Sequence, residues 1–288
     1  LLRATTAAMA AIIGGTQALS IPPFDILQTG GTTTSARLAR NIQHLLTHES
    51  YLDRVTDPAG GSFYIEQATL SLAEAAWGLF QQIEGAGGLL AAAEKGLISA
   101  WIQESAAKKQ AEIAKQKRVQ VGVNKYPNAK ESYPELAVTE DDLRAAAPFE
   151  RLRQRADAHA ATSGKRLKAF LLLFGDVRMR NARSQFARNL LGVAGMEGLE
   201  TQSPNEVEKG IKEALESRPN VIVLCSSDAD ALAQGPGLIR QLRDGYPDAV
   251  LFLAGKPEGW ENLGVDDTIA ARMNVLTFLN GWLDKWIG

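Results

Sequence analysis

The sequence predicts an α/β protein whose C-terminal part is a doubly wound parallel sheet. Three short, uninterrupted apolar runs, at residues 169–174, 221–225 and 249–253, are typical of strands that are buried on both faces. Segments with helical character separate these runs, as the crossover connections of parallel strands require. We therefore expect a five-stranded doubly wound domain, with any ligand at the carboxyl ends of its strands.

The part of the chain before this domain is predicted to alternate helices with short strands. Apolar periodicity and helix-forming composition predict helices at residues 1–13, 35–49, 70–84 and 96–117. Short β-type runs predict strands at residues 16–21, 62–65 and 119–123. Glycine and proline at residues 14–15, 22–23 and 57–61 mark the boundaries between these elements.

The chain is expected to divide into three parts, at residues 1–124, 125–165 and 166–288. The middle part is rich in charge and in Tyr-Pro pairs, which indicates a linker, with one helix at residues 148–161. The remaining predicted helices are at residues 182–191, 205–217, 230–245 and 275–287.

Composition excludes several classes of protein. The 31 basic and 33 acidic residues give a net charge of −2, which provides no electrostatic reason to expect a nucleic acid or membrane partner. A single cysteine excludes an intramolecular disulfide and favours a reducing, cytoplasmic location. No apolar run approaches the roughly 20 residues of a membrane span. Because the chain starts at Leu1 and in helical sequence, we expect it to be cut from something longer.

Three segments together resemble the methylmalonyl-CoA mutase family, and they occur in the order and spacing found there. They are residues 35–41 (SARLARN), 54–64 (RVTDPAGGSFY) and 121–124 (VGVN). The resemblance implies that residues 1–124 are the C-terminal part of a (β/α)8 barrel. It implies that residues 166–288 form a flavodoxin-like domain of the cobalamin-binding type. The first half of the barrel is then missing, and a half barrel cannot assemble an active site from loops after several strands.

The resemblance implies that the barrel part has lost a catalytic histidine. Catalytic members carry Gly-His-Thr-Gln, whereas residues 14–17 here read Gly-Gly-Thr-Gln, so that Gly15 replaces the histidine. A glycine side chain offers neither a hydrogen bond nor a proton. From the residues alone, Gly14 and Gly15 end a helix.

The cobalt-ligating motif of the family is also altered. Cobalamin-binding members carry Asp-x-His-x-x-Gly after the first strand of the second domain. Here Asp176 is retained, but Arg178 takes the place of the ligating histidine and Asn181 that of the glycine. A guanidinium has no lone pair to give to cobalt at neutral pH. We expect an Arg178–Asp176 ion pair instead, and no metal site.

Two further motifs belong to the channel that holds the nucleotide tail of the cofactor in the family. Ser226 and Ser227 stand in the serine loop after the third strand. After the fourth strand, Gly255 is retained, but Lys256 replaces the second glycine, and its long side chain is expected to fill or cap the channel. None of the three histidines, His44, His48 and His159, follows a strand of this domain, so none restores the cobalt ligand.

Residues 174–183 and 264–267 resemble the small subunits of the family in particular. This implies a structural subunit that pairs with a homologous large catalytic subunit, which holds adenosylcobalamin and acts on an acyl-CoA. The pair would convert methylmalonyl-CoA to succinyl-CoA. Two alternatives remain open, an active mutase that binds cobalamin without the histidine and a stand-alone regulatory module. Trp282 and Trp286, one helical turn apart, are expected either in the core or at the subunit interface.

Overall fold

The computed structural model of the chain describes residues 1–132 and 142–287. It forms two compact units, one within residues 1–103 and the other within residues 104–132 and 142–287. Residues 133–141 of the expected linker lie outside the described residues, as does Gly288.

The first unit is helical, and all four helices predicted in this part of the chain are present. The helices of this part are α1 (Leu2–Ile13), α2 (Ile26–Thr29), α3 (Thr33–His44), α4 (Phe63–Gly85), α5 (Leu89–Glu94) and α6 (Leu97–Ala114), of which α1, α3, α4 and α6 are the predicted four and α6 continues into the second unit. A capping box begins α3, because Thr32 Oγ1 accepts from the Ser35 amide at 3.1 Å while Ser35 Oγ accepts from the Thr32 amide at 2.9 Å. The helix ends in a π-helical turn, Leu45–Glu49.

The strands predicted at residues 16–21, 62–65 and 119–123 are wrong. Phe63 is the first residue of α4, whose start is held by the Glu66 carboxylate accepting from the Gly61 amide at 3.0 Å. Residues 119–123 contribute only an isolated bridge, from Val121 to Lys125. A barrel strand needs a hydrogen-bonded neighbour on each side. Residues 1–132 contain no strand in the described structure, so the predicted barrel part is not confirmed.

Helix α4 exposes large apolar side chains along its length. None of its residues is buried, and Phe63, Leu72 and Trp77 are 86%, 72% and 60% exposed. Apolar residues on every face of a helix normally indicate that the helix is buried. Exposed apolar surface of this kind is typical of an interaction surface.

The second unit contains a five-stranded parallel sheet, which confirms the doubly wound domain. Its strands are β1 (Lys168–Leu173), β2 (Glu197–Glu200), β3 (Val221–Cys225), β4 (Val250–Ala254) and β5 (Asp267–Ile269). Their order is β2-β1-β3-β4-β5, and every neighbouring pair is parallel. The central strands β1 and β3 are almost wholly buried, as their unbroken apolar sequences predicted.

Helices cover both faces of this sheet. They are α7 (Ala147–Ser163), α8 (Val177–Val193), α9 (Val207–Ser217), α10 (Asp228–Gly245) and α11 (Val275–Ile287). One apolar core joins α7, α8 and α11 to the sheet, and a second core joins α9 and α10 to it. The linker helix predicted at residues 148–161 is thus confirmed as α7, and it packs on this unit.

The tryptophan pair of α11 belongs to the core of this unit. The Trp282 ring lies 4.8 Å from the Phe252 ring, and its Nε1 donates to Asp267 Oδ2 at 2.9 Å. Trp286 packs against the same core with its ring 6.2 Å from that of Phe252. Of the two roles left open by the sequence, the structure places these residues in core packing.

Candidate functional site

The residues expected around a cofactor come together at the carboxyl edge of the sheet. Strands β1, β3 and β4 are neighbours, so the loops that follow them lie side by side. The chain order reverses between β1 and β3, and this switch point is where doubly wound folds bind ligands. The loops carry Asp176 after β1, Ser226 and Ser227 after β3, and Gly255 and Lys256 after β4.

Asp176 serves as a helix cap and not as the partner of Arg178. Its carboxylate accepts from the Met179 amide at 2.8 Å and so begins α8 five residues earlier than predicted. Arg178 and Asn181 are exposed, and no Arg178–Asp176 ion pair occurs among the described residues. The predicted pair is therefore wrong. A cap that satisfies a helix N–H contributes about 1 kcal/mol, whereas an exposed ion pair contributes about 0–1 kcal/mol.

Asp230, which no sequence pattern singled out, connects the loops after β1 and β3. Its Oδ2 accepts from the Asp176 amide at 2.9 Å and from Ser227 Oγ at 2.6 Å. Ser227 Oγ in turn accepts from the Asp230 amide at 3.1 Å and caps α10. The carboxylate lies against Gly175, whose φ is +69°, and a Cβ atom at Gly175 would overlap it. Ser226 is buried beside this loop.

We expect Asp230 to titrate below the usual range of aspartate. The Ser227 hydroxyl and then the Asp176 amide lower the pKa of this carboxyl, because both donate to its ionised form. A group whose pKa is lower in the folded state stabilises the fold above its ordinary pKa, and this contribution is lost as the pH falls through the folded pKa. The destabilisation caused by Asp230→Asn should therefore shrink on acidification below about pH 4.

Carboxyl ¹³C NMR of the Asp230 side chain measures this directly. The same loops also carry Asp176 and the Arg183–Asp228 ion pair, and Asp228→Asn serves as the control for the influence of this pair. A midpoint at or above the ordinary aspartate value would contradict the hydrogen-bonding pattern.

Lys256 does not fill the space beside Gly255, and a different residue, Arg183, lies there. Lys256 is exposed, with its Nζ 5.8 Å from the centre of the Trp260 ring. Arg183, from α8, packs against Gly255, where a Cβ atom would lie 2.6 Å from Arg183 Nη1. Its Nη2 donates to Asp228 Oδ1 at 2.7 Å. Gly255 has φ +125°, a conformation that favours glycine.

Arg180 is a second basic residue of this edge that the sequence motifs did not identify. It is buried, and its guanidinium donates to the Pro204 carbonyl and to Asn205 Oδ1, both at 2.9 Å. It thereby holds the loop after β2 against α8. The buried residues of α8 include Arg180, Ser184, Ala187 and Leu191, at spacings of four, three and four. This core-facing stripe was the signal that could have found it.

In the first unit, a helix ends before Gly15, as Gly14 and Gly15 predicted. Helix α1 ends at Ile13, and Gly15 follows with φ +76° while its amide donates to the Ile12 carbonyl at 3.0 Å. The rings of His44, at the end of α3, and His48, in the π-helical turn that follows, stack 5.7 Å apart. No cluster of three or more potential metal ligands exists in the described part of the chain.

Comparison with known proteins identifies the family. The family model for methylmalonyl-CoA mutase matches residues 1–172. A methylmalonyl-CoA mutase small subunit from Porphyromonas gingivalis is 34% identical, over 99% of this chain and 48% of that protein. A probable methylmalonyl-CoA mutase small subunit from Mycobacterium bovis is 35% identical, over 99% of this chain and 47% of that protein. A methylmalonyl-CoA mutase from Rhizobium meliloti is 44% identical, over 44% of this chain and 18% of that protein.

The chain therefore belongs to the methylmalonyl-CoA mutase family, a family of isomerases that generally depends on cobalamin. It spans about half the length of the curated small subunits that it matches. None of the helices within residues 1–132 and 142–287 combines the length and apolar character that crossing a bilayer requires.

Proposed function

We propose that this chain is part of the small subunit of an adenosylcobalamin-dependent methylmalonyl-CoA mutase and that it contributes structure and assembly. The observation that carries the proposal is the exposed guanidinium of Arg178 at the position of the cobalt ligand. It has no lone pair at neutral pH, and Asp176, which would orient a histidine, caps α8 instead. The residues at this edge do not fit a cobalt-ligating site.

The proposed domain organisation is a partial acyl-CoA barrel at residues 1–124, a linker at residues 125–165 and a degenerate cobalamin-type domain at residues 166–288. The match of the family model to residues 1–172 supports the barrel part. The strand order β2-β1-β3-β4-β5, which is that of flavodoxin-like folds, supports the last part. The exposed apolar residues of α4 are consistent with a partial domain whose apolar surface is covered by additional polypeptide.

The partner in this proposal is a homologous large catalytic subunit, as the description of the relatives as small subunits suggests. That subunit would hold adenosylcobalamin, which supplies the radical chemistry of the isomerisation, and would bind the acyl-CoA. A reducing, cytoplasmic setting suits the single Cys225, which is buried and whose thiol pKa is raised by that burial. Such a thiol is unreactive.

The test is equilibrium dialysis of the full-length small subunit against adenosylcobalamin, with and without a large subunit. We expect no retained cofactor by the small subunit alone, and one equivalent per complex once the large subunit is added. Stoichiometric binding by the small subunit alone would contradict the proposal and favour the active-mutase alternative. Failure of the two polypeptides to associate would favour the stand-alone module.

A further inference from the structure

The carboxyl edge of the sheet holds side chains of the chain itself at the positions where a ligand would lie. Doubly wound folds bind ligands in the crevice outside the carboxyl ends of their strands. Here the part of the crevice between β3 and β4 contains the Arg183 side chain, which is 15% exposed. It rests on Gly255, one of the residues whose small size would let a ligand approach the backbone.

Arg183 is held in this position by a charge partner in the loop after β3. Its Nη2 donates to Asp228 Oδ1 at 2.7 Å, so the guanidinium spans from the loop after β4 to the loop after β3. The buried Nη1 lies 2.6 Å from the position of a Cβ atom on Gly255, which leaves no space between the guanidinium and that backbone.

The neighbouring part of the crevice, between β1 and β3, is closed by Asp230. Its carboxylate uses the donors that an anionic or polar ligand would need there, namely the Asp176 amide and the Ser227 hydroxyl. It also occupies the space over Gly175. Two side chains, one from α8 and one from α10, therefore cover the switch point.

We propose that Arg183 and Asp230 close the crevice from within, so that this domain excludes the nucleotide tail of cobalamin even when a cobalt ligand is supplied. This deepens the proposed function and rests on its claim that the chain holds no cofactor. The sequence alone attributed the loss of cofactor binding to Arg178 and Lys256, but both side chains are exposed. In this proposal the barrier to the nucleotide tail is formed by Arg183 and Asp230 instead.

The experiment begins from a restored full-length subunit that carries Arg178→His, Asn181→Gly and Lys256→Gly, which supplies the family's motif residues. The opened variant adds Arg183→Ala and Asp230→Ala. The matched control instead adds Arg188→Ala and Asp244→Ala, which remove the same charges from the same helices, α8 and α10, outside these loops. Retention of adenosylcobalamin is measured by equilibrium dialysis and visible absorbance, and folding by circular dichroism.

We expect at least a tenfold higher retention by the opened variant than by the restored subunit and by the control. If the restored subunit retained as much cofactor as the opened variant, the inference would be overturned, since Arg183 and Asp230 would then not exclude the cofactor. The inference would also be overturned if the control retained as much cofactor as the opened variant. It would likewise be overturned if the opened variant folded but retained no cofactor. Binding by the unaltered subunit would instead refute the proposed function, so the two failures are distinguishable.

A measurement on the unaltered subunit keeps the inference testable if the opened variant does not fold. NMR of the arginine side chains, assigned with Arg183→Lys, reports rotation about the Nε–Cζ bond. A guanidinium packed on Gly255 and paired with Asp228 should rotate slowly, and Asp228→Asn should release it. Free rotation in the unaltered protein would contradict the closed crevice.

Discussion

Replacing Arg153 by alanine is expected to lower the free energy of unfolding of the second unit by about 3–5 kcal/mol, as the loss of one partner from a buried charge network does. The Arg153 side chain is 3% exposed and pairs with Asp157 at 3.4 Å. Its guanidinium also donates to the backbone carbonyl oxygens of Asn128, Ala129, Glu131 and Gly192. Removing it leaves one buried and three partly buried backbone carbonyl oxygens without this donor.

The position of Arg153 explains why the effect should extend beyond α7. The residue joins the segment around residues 128–131 and the end of α8 to one helix. Gly195, with φ +76°, lets it approach, because a Cβ atom there would lie 2.5 Å from Arg153 Nε. We therefore also expect faster amide hydrogen exchange in residues 125–131 of the Arg153→Ala variant.

Urea unfolding followed by circular dichroism measures the stability change, and Arg155→Ala is the matched control. Arg155 lies on the same helix, but its ion pair with Asp284 is exposed, at 41% and 62% for the two side chains. Its loss should change the stability by less than about 1 kcal/mol. Equal losses for the two variants would show that burial of the network does not determine its contribution.

The sequence alone located the strands that are buried in the interior of the sheet. Strands β1, β3 and β4 lie inside the sheet and are covered on both faces, so their uninterrupted apolar sequences identify them. Strands β2 and β5 are the edges, and they are only four and three residues long. Five strands were expected, but these two could not be placed, because Glu-Gly-Leu-Glu and Asp-Thr-Ile carry no distinguishing apolar pattern.

The failed strand predictions in the first part of the chain have a different cause. Residues 62–65, Ser-Phe-Tyr-Ile, have the composition of a strand, but the run is only four residues long, and a long run of helix-forming sequence follows it. The helix extends back to Phe63 once Glu66 satisfies the Gly61 amide. A β-type run of four residues is weak evidence for a strand when one more turn of an existing helix is the competing structure.

At the candidate site, motif positions could be predicted from resemblance, but the side chains that occupy the space could not. The positions of Asp176, Ser227 and Gly255 at one edge follow from the strand order. The placement of Arg183 and Asp230 depends on positive φ angles at Gly255 and Gly175 and on distances between loops. Neither quantity leaves a periodic signal in the sequence.

Phe252→Ala is the second change for which we expect a large effect, about 3–5 kcal/mol of lost stability, the usual result of truncating a buried aromatic side chain. Phe252 is fully buried at the centre of β4. Its ring lies 5.3 Å from that of Phe278, 4.8 Å from that of Trp282 and 6.2 Å from that of Trp286. The substitution removes the common neighbour of these three rings and leaves a cavity. The close-packed strands around it cannot move far enough to fill that cavity.

The control is Phe80→Ala on α4, where the side chain is 48% exposed and stacks on Trp77 at 5.1 Å. In the small subunit alone, we expect this change to lower the stability by less than about 1 kcal/mol, since little apolar area is lost from the core. Urea unfolding gives both values, and near-UV circular dichroism reports the Trp282 environment. If Phe80→Ala were as destabilising as Phe252→Ala, the α4 surface would be part of a folded core in the isolated subunit. The expected difference instead shows that the α4 aromatic residues are not needed for the stability of the isolated chain, as the proposed interaction surface requires.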